Sequence, residues 1–295
     1  MKFGFSLAAA AALLLAFSPA SAAYRLAPFK DDLFKYPGVL ATDYGGDYVK
    51  VDYVESRDLY DRDVVPEKKT KPQYVSLDVT SSQRDMVAKD GRVSVQFIAT
   101  GAVDGGAKVV VLYVHGRGGN RGQGANDWMF GGNFNRIKNL MARNGGVYLS
   151  GEFPNLNARG VAQAKVLILE YAKNSPDAPI FVACGSLGGR ICWGLAEDDE
   201  VARHIDGLIL MGSTSDDDFF QTAAFKRRMP VYLGHGTGDI VISWKSQEAF
   251  FKKLKQRDPS YPAKFALFNT GSHGTPIRMT DWRLVLNWML EVNGS

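Results

Sequence analysis

The sequence predicts an α/β protein with a mostly parallel central sheet covered by helices on both faces, and three observations predict it. From about residue 73 onward, short apolar runs alternate with amphipathic segments of helical length, the pattern of strands joined by crossover helices. The runs at Lys108–Val114, Ile180–Ala183, Ile205–Met211 and Val231–Gly234 are nearly continuous in apolar residues, as strands buried on both faces must be. Finally, several of these runs end in glycine-rich turns carrying Ser, Asp or His, and ligands gather at the carboxyl ends of strands in open α/β sheets.

Taken in order, the first segment is not fold. Lys2 supplies a positive start, Ala8–Ala16 an apolar stretch too short to span a membrane, and Ala20-Ser21-Ala22 a small-residue cleavage site. Residues 1–22 therefore read as a cleaved secretory leader, and the mature protein is expected to be periplasmic or secreted. No cysteine at the cleavage point offers a lipid anchor. Residues 23–72 are rich in tyrosine and charge and read as an N-terminal arm, packed over the domain through its aromatics and ending in a solvated linker at Glu67–Lys71. A substrate or partner role for those aromatics is the alternative.

Residues 73–295 form the predicted domain. Tyr74–Val79 and Val93–Ile98 read as alternating strands around a Lys89-Asp90-Gly91 turn. Strands follow at Lys108–Val114, Gly146–Leu149, Ile180–Ala183, Ile205–Met211, Val231–Gly234 and Lys264–Phe268. Helices are expected over Asn133–Arg143, Ala158–Tyr171, Ser186–Glu197, Ser246–Lys255 and Asp281–Val292. The connection after the sixth strand, residues 212–229, is too short for a large cap domain.

Composition narrows the function. The 295-residue chain carries 35 Lys and Arg against 31 Asp and Glu, a net charge of +4 that falls to +3 without Lys2. That balance is too mild to argue for nucleic acid, though it permits peripheral contact with an anionic membrane surface. No H-x-x-x-H or C-x-x-C spacing suggests a metal, and no cofactor motif is present. The two cysteines are expected to be free and buried. Cys184 ends a buried strand and Cys192 lies about two turns into the next helix, an awkward geometry for a bridge.

The chemistry concentrates in four motifs. Ile180–Ala183 ends at Cys184-Gly185-Ser186-Leu187-Gly188, a strand-to-helix elbow whose small neighbours suit a strained, exposed serine. Val114-His115-Gly116-Arg117 follows an earlier strand, His235-Gly236-Thr237-Gly238-Asp239 a later one, and Gly271-Ser272-His273 the last. In register over residues 73–295, these motifs resemble the α/β-hydrolase superfamily, in which Ser, Asp and His follow one another in this order. The resemblance implies Ser186 as nucleophile, His273 as general base and Asp239 as the acid that orients and supports it. It also implies an oxyanion hole from the backbone N–H groups of Leu187 and Arg117, and it casts His115 and His235 as structural supports. Cys184 departs from the glycine usual two residues before the nucleophile, and the superfamily accepts small residues there.

Rival residues have plainer readings. Asp216, Asp217 and Asp218 follow the sixth strand, where the superfamily sometimes carries its acid, but adjacent acids more often start or cap a helix. The loop Arg117–Gly124 lacks the Gly-Lys-Ser/Thr ending of a phosphate loop and reads as a rim. There, Arg117 and Arg121 are placed to meet a substrate anion, with Trp128, Met129, Phe130 and Phe153 as an apolar acyl wall. The expected function is a lidless serine hydrolase, dienelactone-hydrolase-like, cleaving carboxylic esters or thioesters on small-molecule or lipid substrates. The alternatives are a phospholipase or lysophospholipase, and a non-catalytic binding protein on the same fold.

Overall fold

A computed structural model describes Met1 and residues 24–294, so the leader expected at 1–22 lies, Met1 aside, outside the described residues. Twelve strands are present among them: β1 (Val39–Asp43), β2 (Tyr48–Val51), β3 (Asp63–Val65), β4 (Lys69–Thr70), β5 (Gln83–Asp90), β6 (Val93–Gly101), β7 (Val110–Val114), β8 (Val147–Gly151), β9 (Ile180–Gly185), β10 (Gly207–Met211), β11 (Val231–Gly236) and β12 (Ala263–Phe268). Ten of them make one sheet in the order β1-β2-β12-β11-β10-β9-β7-β8-β6-β5. Every pairing from β2 across to β8 is parallel, and β1, β6 and β5 join antiparallel at the two ends. The sheet is thus mixed, with a parallel centre.

Strand periodicity divides the core into two layers, because successive side chains point to opposite faces. Leu112, Val182, Leu210, Leu233 and Phe265 face one cluster, shared with the helices Ala158–Asn174, Gly189–Glu197 and Trp244–Arg257. Val111, Ala183, Ile209, Tyr232 and Ala266 face the other, shared with Asn133–Arg143 and Trp282–Val292. Buried at every position, β7, β9 and β10 hold no charged residue, which is why they read as nearly continuous apolar runs. No helix among the described residues is long and apolar enough to cross a membrane.

Three expectations change. The strand before β6 is β5, and Tyr74–Val79 is not a strand: short 3-10 turns occupy Pro72–Tyr74 and Asp78–Ser82. Between them, Asn135 holds both the N–H and the carbonyl of Ser76 at 2.8 Å, and Asn139 adds a 3.0 Å bond to that carbonyl. Side-chain amides from a helix take the backbone groups that a strand partner would have used. β5 is a polar edge strand with a single buried residue, Ala88, so its apolar alternation is faint.

The arm is also more than a cover. β2 pairs in parallel with β12, and the β1–β2 hairpin extends the sheet rather than lying over a finished one. Tyr48 stacks on Phe265 at 5.4 Å, and the Tyr36 and Tyr232 hydroxyls meet at 2.9 Å. The supposed linker is the β3–β4 hairpin, fastened where Asp63 accepts two bonds from Arg278 at 3.0 and 2.6 Å, both side chains buried. Burial and the neighbouring charge of Arg278 lower the Arg62 guanidinium to about 10, and its face packs on Phe34 and Tyr74.

The third change is a covalent one. Cys184 and Cys192 form a disulfide, with Cα atoms 6.3 Å apart, instead of remaining free. Cys184 points from the end of β9 into the same core layer that the helix Gly189–Glu197 enters with Cys192. The 3-10 turn at Ser186–Gly188 delays the α-helix to Gly189, which brings Cys192 back over the strand end.

Candidate active site

Ser186 sits where β9 turns into the following helix. Its backbone lies in the left-handed region at φ 52°, unusual for a residue with a side chain and costly unless the surroundings impose it. They do. A Cβ at Gly116 would come within 2.8 Å of the Ser186 Cβ, and one at Gly188 within 2.7 Å of the His115 carbonyl. Ser213 donates from its hydroxyl to the Ser186 carbonyl at 2.6 Å. The elbow is glycine-lined because neighbouring backbones close on it.

From this turn a hydrogen-bonded chain runs inward. The Ser186 Oγ lies 2.9 Å from His273 Nε2, and His273 Nδ1 lies 2.7 Å from Asp239 Oδ2. His273 follows β12 and Asp239 follows β11, so three strand ends that are neighbours or near neighbours in the sheet supply the three groups. The Asp239 side chain is fully buried and its oxygens are saturated. Oδ2 also meets His235 Nε2 at 3.0 Å, while Oδ1 accepts the N–H groups of Val241 and Ile242 at 2.8 and 3.0 Å. Burial pushes this carboxyl up, but the bonds from His273, Ile242 and Val241, with the His273 charge, outweigh it and hold the group below the usual carboxylate range.

Sequence reasoning gave His235 only a supporting place, and its bond to the carboxylate of Asp239 could not be read from the motif. The side chain is wholly buried, reached on its other nitrogen by Gln247 at 2.7 Å. His115 supports the opposite wall. Its Nδ1 donates to the Gly116 carbonyl at 2.8 Å, and its Nε2 accepts the Phe153 N–H at 3.0 Å, which fixes the ring's orientation. The loop it steadies is a turn closed by Gly119 N–H on the Gly116 carbonyl, with Gly118 at φ 74°. The Arg117 N–H stands at the corner of that turn and, among the described residues, makes no bond to another backbone group; neither does that of Leu187 outside its own turn.

Beside these two amides opens a cavity of 390 Å³, lined by Gly116, Arg117, Phe153, Asn155, Leu187 and Arg190 among others. Phe153 therefore borders the site, though nearly all of it is buried. Two other expected contacts do not reach it. Arg121 is held by Asp85 at 2.9 and 3.1 Å and by Glu152 at 3.1 Å, so its charge is already answered. Trp128 belongs to the arm's anchorage: its carbonyl accepts the Thr70 N–H, and Lys69 lies over its ring at 5.4 Å. Phe130 approaches Gly274, next to His273.

Asp216 caps the 3-10 turn Asp217–Gln221 by accepting the Asp218 N–H, and is not bonded to His273. Residues 212–229 fold inward, where Phe219 and Phe220 pack against Trp193 and Phe250, and form no lid. Among the described residues, the one cluster of potential metal ligands is Glu197, Asp216 and Asp218, none of which belongs to the Ser186 chain.

The chain has the α/β-hydrolase fold. Solved structures bear this out at low sequence identity. A protein of unknown function from Agrobacterium tumefaciens, described as a putative α/β hydrolase, superposes with a TM-score of 0.55 at 15% identity, over 72% of this chain and 98% of its own. An esterase from Pyrococcus furiosus gives 0.53 at 14%, over 78% and 96%. A lidless α/β serine hydrolase from Xanthomonas campestris gives 0.51 at 12%, over 72% and 95%. No protein-family model matches the chain, and no curated protein matches it in sequence.

Proposed function

We propose that this protein is a serine hydrolase that cleaves carboxylic esters or thioesters through an acyl-enzyme. The observation that carries the reading is the unbroken chain Ser186 Oγ–His273–Asp239, with the half-buried serine held in a strained turn. In the first step Ser186 Oγ attacks the carbonyl carbon while His273 Nε2 takes its proton, and Asp239 stabilises the resulting imidazolium. The carbonyl oxygen, now negative, is held by the N–H groups of Leu187 and Arg117, each contributing roughly 3 kcal/mol to lowering the barrier. Collapse expels the alcohol or thiol with the proton from His273. Water then attacks the acyl-enzyme by the same route and releases the acid.

A periplasmic or secreted location accompanies this reading. The leader-like sequence supports it, and so does the buried disulfide, since such bridges persist in oxidising compartments. The open site, without a folded lid from residues 212–229, favours small esters over gated triglyceride binding. The test is a fluorophosphonate probe with mass mapping. The adduct is expected on Ser186, and Ser186→Ala should lose both the adduct and at least about 10⁴-fold of turnover with its melting temperature unchanged. Activity persisting in that variant would exclude Ser186 as the nucleophile.

A further inference from the structure

We propose that the substrate carries an anionic group, a carboxylate or phosphate, seated between Arg117 and Arg190; this rests on the ester-hydrolase reading and names its substrate class. The arginines that flank the site differ in what answers their charge. Arg121 is neutralised by Asp85 and Glu152. Among the described residues, Arg117 and Arg190 have no ion-pair partner within 4.0 Å and no side-chain hydrogen bond. Both line the 390 Å³ cavity together with Leu187, which follows Ser186 in the chain, and Gly116, which packs closely on it; among its lining residues there is no Asp or Glu.

Two helix starts add to the same field. Leu187 and Arg190 belong to the turn and first residues of the helix Gly189–Glu197, and Asn157 caps Ala158–Asn174, all at the cavity wall. Partial positive charge at those ends reinforces the guanidinium groups. Acids do exist nearby. Glu197, Asp198 and Asp216 line an adjoining depression reached by the other side of Arg190, and they stand outside the cavity beside the nucleophile. A positive pocket touching the two proposed oxyanion donors suits a short half-ester of a dicarboxylic acid or a short acyl ester of a phosphorylated alcohol. Its volume falls in the range of small-molecule sites. Arginine pairs such oxygens with two parallel bonds, giving orientation as well as attraction.

The test compares charged and uncharged members of two pairs on the full chain. The first is mono-4-nitrophenyl glutarate against its methyl ester. The second is 1-butyrylglycerol 3-phosphate against 1-butyrylglycerol, followed by acid release. The wild type is expected to favour the charged member of at least one pair by about 10-fold or more in kcat/KM, the scale of a charge-assisted bond. Preference in the first pair assigns a carboxylate, and preference in the second a phosphate. Arg190→Met and Arg117→Met should each lower the charged-to-neutral ratio, and Arg190→Lys should restore part of it. Equal rates on both members of both pairs, or a ratio that the double methionine variant leaves in place, overturns the proposal while ester hydrolysis stands. No turnover on any of the four, with no probe adduct on Ser186, instead removes the hydrolase reading and this inference with it.

Discussion

Reduction of the Cys184–Cys192 bridge should loosen the protein by a definable amount while sparing most of its catalysis. The bridge joins residues separated by 8 in sequence and encloses Ser186 itself. Freeing a loop that short returns about 2.5 kcal/mol of chain entropy to the unfolded state at 25 °C, which for a domain of this size lowers the melting temperature by roughly 4–5 °C. Both sulfurs are wholly buried among apolar neighbours, so the reduced thiols stay packed and add little further cost. The serine is held independently by the Ser213 hydroxyl and by the close approach of Gly116 and Gly188. Turnover at 25 °C should therefore fall by no more than a few-fold. The assay is thermal unfolding of protein unfolded, reduced and refolded in reductant, beside untreated protein and a Cys184→Ala/Cys192→Ala variant. Thiol alkylation of the unfolded, unreduced chain supplies the control. Uptake of alkylating agent at both cysteines without reduction would refute the bridge, and an unchanged melting temperature after confirmed reduction would refute the entropy argument.

Other expectations follow from single contacts. Asp239→Asn keeps the shape but leaves His273 without its anion, and kcat should drop by about 10³–10⁴-fold with substrate binding little changed. The depressed carboxyl of Asp239 also sets a pH dependence. Its stabilisation is complete above the ordinary carboxylate value of about 4 and is lost as pH falls through the lower folded value. The melting temperature of the wild type should consequently fall more steeply in acid than that of the asparagine variant. Asp63→Asn removes one half of a buried pair and strands Arg278 beside buried Arg62, at a cost of about 3–5 kcal/mol in denaturant unfolding. Glu67, 4.0 Å from Arg278, can take up part of that charge, so the lower end of the range is expected. A loss below about 1 kcal/mol would mean that the arm is not fastened there.

Much of the core was legible because it obeys local rules. The helix Asn133–Arg143 has the expected bounds, and the central strands fall within a residue or two of their apolar runs. The motif residues Ser186, Asp239 and His273 meet in space because each lies at the carboxyl end of a parallel strand, and the order of such strands follows from crossover connections. Where local signals were weak, reading failed. β5 is charged and solvent-facing and carries only faint apolar alternation, whereas Tyr74–Val79 carries it but has its backbone captured by Asn135 and Asn139 from a helix some sixty residues on.

By itself, then, the sequence determined the alternation of strand and helix, the parallel centre of the sheet, and the turns that present Ser186, Asp239 and His273. Each depends on the spacing of apolar residues or on turn chemistry within a few positions. Tertiary structure decided the rest: that Cys184 finds Cys192 across a turn, that β2 joins β12, and that His235 reaches Asp239. It also decided which arginine keeps a free charge beside the nucleophile. Asp85 comes from a different hairpin and Glu152 from the end of β8, and together they quench Arg121 and leave Arg117 and Arg190 exposed to a ligand. A charged side chain's availability depends on what distant segments place within about 4 Å of it, and no pattern along the chain encodes that distance.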